Sequence, residues 1–323
     1  MGAKVICLGE CLMDRLFGQP DQVDNALVNW QDYPGGAPAN VAVALSKLGT
    51  PASFVGCLGM DDPGEVLFNQ LEQAGVRCEA IQRHLTAPTR VVLVMRDAAG
   101  DRQFVGFHLP DPTGFADAHL AVARLDEAMF AEAAFLVMGT LGLAYADTGQ
   151  SMEQALTWAR QQGVITVVDL NWRPAFWPDI AIAPQRIRPF IAQVDLLKLS
   201  EDEALWLFQT GDPQVILKNL PQAQAVVITA GAEGCRYATR QVHGSLPAFQ
   251  VDSEDTTGAG DAFLAGLIHQ LAKQGMASLE ESATVEPILR YASAVGALTT
   301  MRAGAMAAQP QAREVEAFLY LNS

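Results

Sequence analysis

Short apolar runs without polar alternation recur along the chain: KVICLG from residue 4, ASFVGCLG from 52, FLVMG from 135, GVITVVDL from 163, VDLLKLS from 194 and QAVVITA from 224. Runs of this length and evenness predict strands buried on both faces. The intervening stretches follow a different period. Val41, Ala44, Leu45 and Leu48 fall at i, i+3, i+4 and i+7 and stop at Gly49, and Met152, Ala155, Leu156 and Ala159 repeat the pattern before Gly163. Strands alternating with such helices predict an α/β fold with a central, mostly parallel sheet, right-handed crossovers and helices on both faces. In folds of this kind ligands gather at the carboxyl ends of the strands.

Two segments break the rhythm. Residues 11–34 and 89–109 read as extended, hairpin-like pieces, the second turning around Ala99-Gly100-Asp101. Together they predict a small β lid on a single domain spanning residues 1–323, since no repeat, low-complexity tract or linker divides the chain.

Composition narrows the function. With 21 Lys and Arg against 36 Asp and Glu the net charge is −15, which opposes general attraction to nucleic acid or to an anionic membrane. An anionic ligand must therefore meet local cations or backbone amides. The five cysteines are odd in number, lack CxxC spacing and sit mostly in apolar runs, the pattern of buried thiols in a reducing compartment. The N-terminus lacks the layout of a secretory signal and no run of about 18 uncharged apolar residues occurs, so a cytoplasmic protein is expected.

The stretch DTTGAGDAF at residues 255–263 carries the sharpest chemistry. Gly258, Ala259 and Gly260 let backbone amides approach an anion at the start of a helix whose apolar face is Leu264, Leu267, Ile268 and Leu271. Asp261 then lies in the first turn, placed either as a helix-capping acid or as a base for a hydroxyl attacking phosphorus. GGAPAN, residues 35–40, is a second glycine turn into a helix, with Asn40 just inside it. Asp169, Asn171 and Arg173 share one side of the chain if it stays extended until Pro174, so Arg173 either meets a phosphate or pairs with Asp169. Ser200 and Glu203 have capping-box spacing. Thr229, Gly231 and Gly234 make a polar turn open to a nucleotide or to no ligand at all. Neither GxxxxGK[ST] nor an early GxGxxG is present, which argues against a P-loop and against a dinucleotide dehydrogenase.

Taken in this order, DTTGAGDAF, GGAPAN and CLGMDDPG resemble the signature regions of the ribokinase-like, or PfkB, carbohydrate kinase family, over nearly the whole chain. The resemblance implies a ribokinase-like fold and an ATP- and Mg²⁺-dependent sugar kinase. It implies Asp261 as the base, the amides of Gly258, Ala259 and Gly260 as the anion hole, and Asp14, Gly35, Gly36 and Asn40 as sugar-binding residues. It assigns Asn171, Ser200, Thr229, Gly231 and Gly234 to ATP, Arg173 to phosphate, and Glu203 to Mg²⁺ through water. Ser200 stands where the family writes Asn. Asp255 and Gly304 match the region of a monovalent-cation (K⁺) site, although the serine expected near Ala308 is absent.

Within the family, GECLMD, DLNWRPAFWP and KLSEDEALWL are most similar to fructokinases, with Phe107-His108 standing where those often show an aromatic-arginine pair. Fructose is therefore the expected acceptor, with 2-keto-3-deoxygluconate, ribose, a nucleoside or a non-catalytic sugar-binding role as the rival readings. Pairing of exposed lid edges predicts a homodimer.

Overall fold

The computed structural model describes residues 4–17, 30–96 and 102–322. The chain opens with β1 (Lys4–Leu8), then enters a small sheet through β2 (Leu12–Phe17) and β3 (Trp30–Gly35). Helix α1 (Ala37–Lys47) returns it to β4 (Ala52–Val55), and β5 (Cys57–Gly59), α2 (Asp62–Gln73) and β6 (Gln82–His84) lead back to the small sheet at β7 (Val91–Arg96) and β8 (Arg102–Phe107). Regular alternation follows: β9 (Ala133–Met138), α3 (Ala146–Gln161), β10 (Ile165–Asp169), α4 (Ala183–Ile191), β11 (Leu196–Ser200), α5 (Glu201–Phe208), α6 (Pro213–Lys218) and β12 (Ala225–Thr229). A hairpin of β13 (Cys235–Thr239) and β14 (His243–Leu246) precedes α7 (Ala259–Gln274), α8 (Ser282–Thr300) and α9 (Ala312–Leu321).

The large sheet has the order β14-β13-β12-β11-β10-β9-β1-β4, parallel from β4 to β12 and antiparallel at β13 and β14. Its parallel strands are buried on both faces, as their even apolar runs require. On β1, Val5 and Cys7 join a core with Leu45 of α1, Leu267 of α7 and Ile288 of α8. Ile6 and Leu8 point the other way, to Leu156 of α3, Ile187 of α4 and Leu207 of α5. All five cysteines are free and buried. Among the described residues no helix is long and apolar enough to cross a membrane.

One expected strand divides. ASFVGCLG breaks at Gly56, where a side chain would stand 2.6 Å from the Gly9 carbonyl. Only β4 stays in the large sheet, while β5 leaves to pair with β6.

The two irregular segments do form one sheet, ordered β3-β2-β7-β8. A parallel β2–β7 pairing joins them, with an antiparallel pair on either side. Asp14 consequently lies on an interior strand, between Tyr33 and Val92, and not on an edge. The turn expected at Ala99-Gly100-Asp101 lies outside the described residues.

Candidate active site

The first turns of α1 and α7 meet at the carboxyl end of the large sheet. Gly258 precedes α7 with φ +79°, and a Cβ there would lie 2.9 Å from the Cβ of Ala305. Both the left-handed backbone and the close neighbour demand glycine. Asp261 follows in the first helical turn, half-buried. Its Oδ2 accepts a 2.8 Å hydrogen bond from Nδ2 of Asn40, which lies buried in the first turn of α1. Burial pushes the Asp261 carboxyl above the usual range, while the Asn40 hydrogen bond and the charges of Lys198 and Arg173 pull it back in part.

Of the three amides expected to form an anion hole, one is already engaged. The Ala259 N–H donates to the Thr256 carbonyl at 3.2 Å. The Gly258 and Gly260 amides have no acceptor among the described residues, as expected where the first helical turn lacks intrahelical partners.

Lys198 and Glu10 also lie at this site, although GECLMD and KLSEDEALWL, the stretches that contain them, assigned neither a role. Lys198 is buried on β11 and its Nζ donates to Asp169 Oδ2 at 2.8 Å. That Nζ is 2.9 Å from where a Cβ on Gly260 would be, so a buried ammonium stands directly beside the glycine turn at the start of α7. Burial opposes its charge, but Asp169 and Glu203 outweigh this and raise its pKa. The signal in the sequence was a lysine inside the otherwise apolar LLKLS. Glu10, at the end of β1, is buried and accepts from the Ala37 amide at 3.1 Å and from Asn171 Nδ2 at 3.5 Å.

The expected extended run from Asp169 to Arg173 is not formed. Asn171 has φ +44°, a left-handed conformation that turns the chain, so the three side chains do not share one side. Asp169 pairs with Lys198 and not with Arg173. Arg173 is exposed, donates from Nη1 to the Trp172 carbonyl at 3.0 Å, and still acts electrostatically on Asp261.

Thr229, Gly231 and Gly234 line a cavity of about 370 Å³ together with Thr256, Ala259, Gly260 and Phe263. The cavity wall is continued by Phe249, Val251 and Ala297. Gly234 has φ +97° and packs so tightly that a Cβ would meet the Leu246 carbonyl at 2.0 Å. Neither Asn171 nor Ser200 reaches this cavity. Ser200 instead caps α5: its Oγ accepts from the Glu203 amide at 3.3 Å, and Glu203 Oε2 accepts from the Ser200 amide at 2.7 Å. Glu203 Oε1 accepts from the Trp172 amide at 2.6 Å, tying α5 to the turn after β10.

Asp255 and Gly304 are brought together as a loop clamp. Asp255 Oδ2 accepts from the Gly304 amide at 3.0 Å and Oδ1 accepts from the amide and hydroxyl of Thr257 at 3.0 and 2.7 Å. On the small sheet, Asp14 lies against Gly35, where a Cβ would be 3.0 Å from Asp14 Oδ2, and Gly36 turns into α1 with φ +103°. An arginine also meets Phe107, though not from His108. Arg90, fully buried and bonded to Asp117 from Nε and Nη2 at 2.7 Å each, lies 5.0 Å from the Phe107 ring.

Residues 3–312 match the pfkB family carbohydrate kinase. The chain is 35% identical to fructokinase-1 of Zea mays over 285 residues, covering 87% of each. The crystal structure of a fructokinase from Xylella fastidiosa with bound ATP superposes with a TM-score of 0.90 at 31% identity, covering 100% of this chain and 99% of that one. A fructokinase double mutant from Vibrio cholerae O395, bound to fructose, ADP and a potassium ion, superposes with a TM-score of 0.84 at 27% identity over 98% of both chains.

Proposed function

The chain belongs to the pfkB family of carbohydrate kinases and is a sugar kinase, a phosphotransferase with an alcohol acceptor, and from that premise we propose that it converts ATP and D-fructose to ADP and fructose 6-phosphate. One observation carries the site assignment: Ala259 and Gly260, which line the 370 Å³ cavity, immediately precede Asp261, so a nucleotide pocket and a half-buried carboxylate share one helical turn. Fructose as acceptor is supported by the fructokinases among the similar proteins and by the fructose held in the Vibrio cholerae structure.

In this reading Asp261 takes the proton from the terminal hydroxymethyl of the sugar as its oxygen bonds to the γ-phosphorus and the bond to ADP breaks. Asn40 keeps the Asp261 carboxylate facing the sugar through their 2.8 Å bond. The unpaired amides of Gly258 and Gly260 and the Lys198 ammonium meet the negative charge on the transferring group. Arg173 adds a second cation at the same end of the sheet. Asp14, Gly35 and Gly36 form the sugar side, with the small sheet as a lid that excludes water.

Asp169 Oδ1 is buried without a partner among the described residues, and the Glu203 charge helps raise the Asp169 pKa; these hard oxygens would hold Mg²⁺ through water. The ion, when bound, neutralises the ATP phosphates. The K⁺ assignment fits less well, because Ala308 offers no hydroxyl where the family site expects a serine.

ADP release with Mg-ATP and fructose, ribose, 2-keto-3-deoxygluconate, glucose or adenosine tests the acceptor. A kcat/KM for fructose about tenfold or more above the others supports it. A preference for another sugar or for the nucleoside overturns fructose and leaves the kinase class intact. A second copy pairing through the small sheet belongs to the same proposal, because Phe104 and Val105 on β8 are 48% and 51% exposed. A monomeric mass by light scattering at micromolar concentration overturns that pairing.

A further inference from the structure

We propose that Glu10 is a positioning residue for phosphoryl transfer: its carboxyl joins the start of α1, which carries Asn40, to the turn at Asn171, which carries Arg173, and so holds both groups that flank Asp261. The inference rests on the sugar-kinase reading of the same site. Glu10 Oε1 accepts from the Ala37 amide at 3.1 Å, three residues before Asn40, and from Asn171 Nδ2 at 3.5 Å, two residues before Arg173. Asn171 has φ +44°, a left-handed turn that asparagine tolerates better than most residues, and its side-chain amide is the group that Glu10 takes hold of. Asn40 and Arg173 both lower the Asp261 pKa, one by its hydrogen bond and one by charge.

The second oxygen reveals the protonation state this clamp needs. Glu10 Oε2 is buried and has no hydrogen-bond partner among the described residues, and a Cβ on Gly139 would stand 4.0 Å from it. An ionised carboxylate with one oxygen bare in a buried site is costly, whereas a protonated one leaves Oε1 to accept both N–H groups. The groups that face it are Asp117, Asp261, Arg90, Tyr145 and the adjacent Cys11. Burial pushes the Glu10 carboxyl up to about 8, with Asp117 and Asp261 adding to the rise. The clamp is therefore neutral at pH 7. Ionisation above about 8 sets a further negative charge beside Asp261 and the incoming phosphates.

Glu10→Gln and Glu10→Ala separate this role from a merely structural one. With Mg-ATP and fructose at pH 7, Glu10→Ala is expected to lose about tenfold in kcat, with KM for ATP within about twofold, while Glu10→Gln, which keeps the Oε1 acceptor, stays within about twofold of wild type in both. Between pH 7 and 10 the wild-type kcat is expected to fall along an alkaline limb that Glu10→Gln lacks. Persistence of that limb in Glu10→Gln, or unchanged kcat in Glu10→Ala, overturns the proposal.

Thermal unfolding supplies a readout that needs no substrate. A folded-state pKa raised to about 8 means that wild-type stability is fully present below the ordinary carboxylate pKa and is lost as pH rises through about 8. The Tm of Glu10→Gln should therefore pull ahead of wild type between about pH 5 and 8 and then level off. A pH-independent difference overturns the neutral clamp. A wild type silent on fructose but active on another sugar of the panel overturns only the acceptor, and the variants are then compared on that sugar.

Discussion

Asn40 Nδ2 and Asp261 Oδ2, 221 residues apart in sequence, are 2.8 Å apart in space, and this contact joins the two glycine-led helices into one site. Asn40 supplies the hydrogen bond that favours the charged form of a carboxylate whose burial favours the neutral one. That balance would set the pH range over which Asp261 could act as the proposed base.

Replacing Asp261 by Asn tests the base directly. The variant keeps the shape and the neighbouring amides, so ATP binding measured by calorimetry should stay within about threefold of wild type, while kcat falls by about 10²–10⁴. Near-normal turnover would remove Asp261 from the chemistry.

Asn40→Ala should move the pH profile in a defined direction. Burial raises the Asp261 pKa and the Asn40 bond lowers it, so without Asn40 the carboxylate stays protonated to higher pH. The acidic limb of kcat should shift upward, and the sugar KM should rise as well. An unmoved limb would show that Asn40 does not tune the base.

The ion pair between Lys198 and Asp169 is buried, so breaking one side leaves an unpaired charge. Lys198→Met is expected to cost about 3–5 kcal/mol in urea unfolding. Lys198→Met with Asp169→Leu should recover much of that stability without recovering turnover, because the cation beside Gly260 is gone. Recovery of both would make the pair structural alone.

Gly258→Ala should lower both stability and activity. The residue would hold φ +79° with its Cβ 2.9 Å from that of Ala305, a strain of about 1–3 kcal/mol. Differential scanning calorimetry should show a lower Tm and the kinetics a lower kcat. A Tm within a degree of wild type would contradict the fit of this turn.

The Glu203 carboxylate shows where sequence reading stops. Its spacing from Ser200 announced a capping box, and that cap is present. Nothing local announced its bond to the Trp172 amide, made 31 residues away. The same holds for Arg173: the left-handed Asn171 breaks the extended backbone that would have set it on one side with Asp169.

The sequence by itself determined the parallel sheet, because even apolar runs and 3.6-residue periods follow from burial on two faces and on one. It also determined the glycine-acid turn, since residue type alone limits which backbone can approach an anion so closely. Only the tertiary structure decided that Lys198 lies under Gly260, that Glu10 spans Ala37 and Asn171, and that Asp14 sits on an interior strand. Those relationships depend on sheet order and on packing across distant segments, whereas periodicity records only which way each residue faces within its own element.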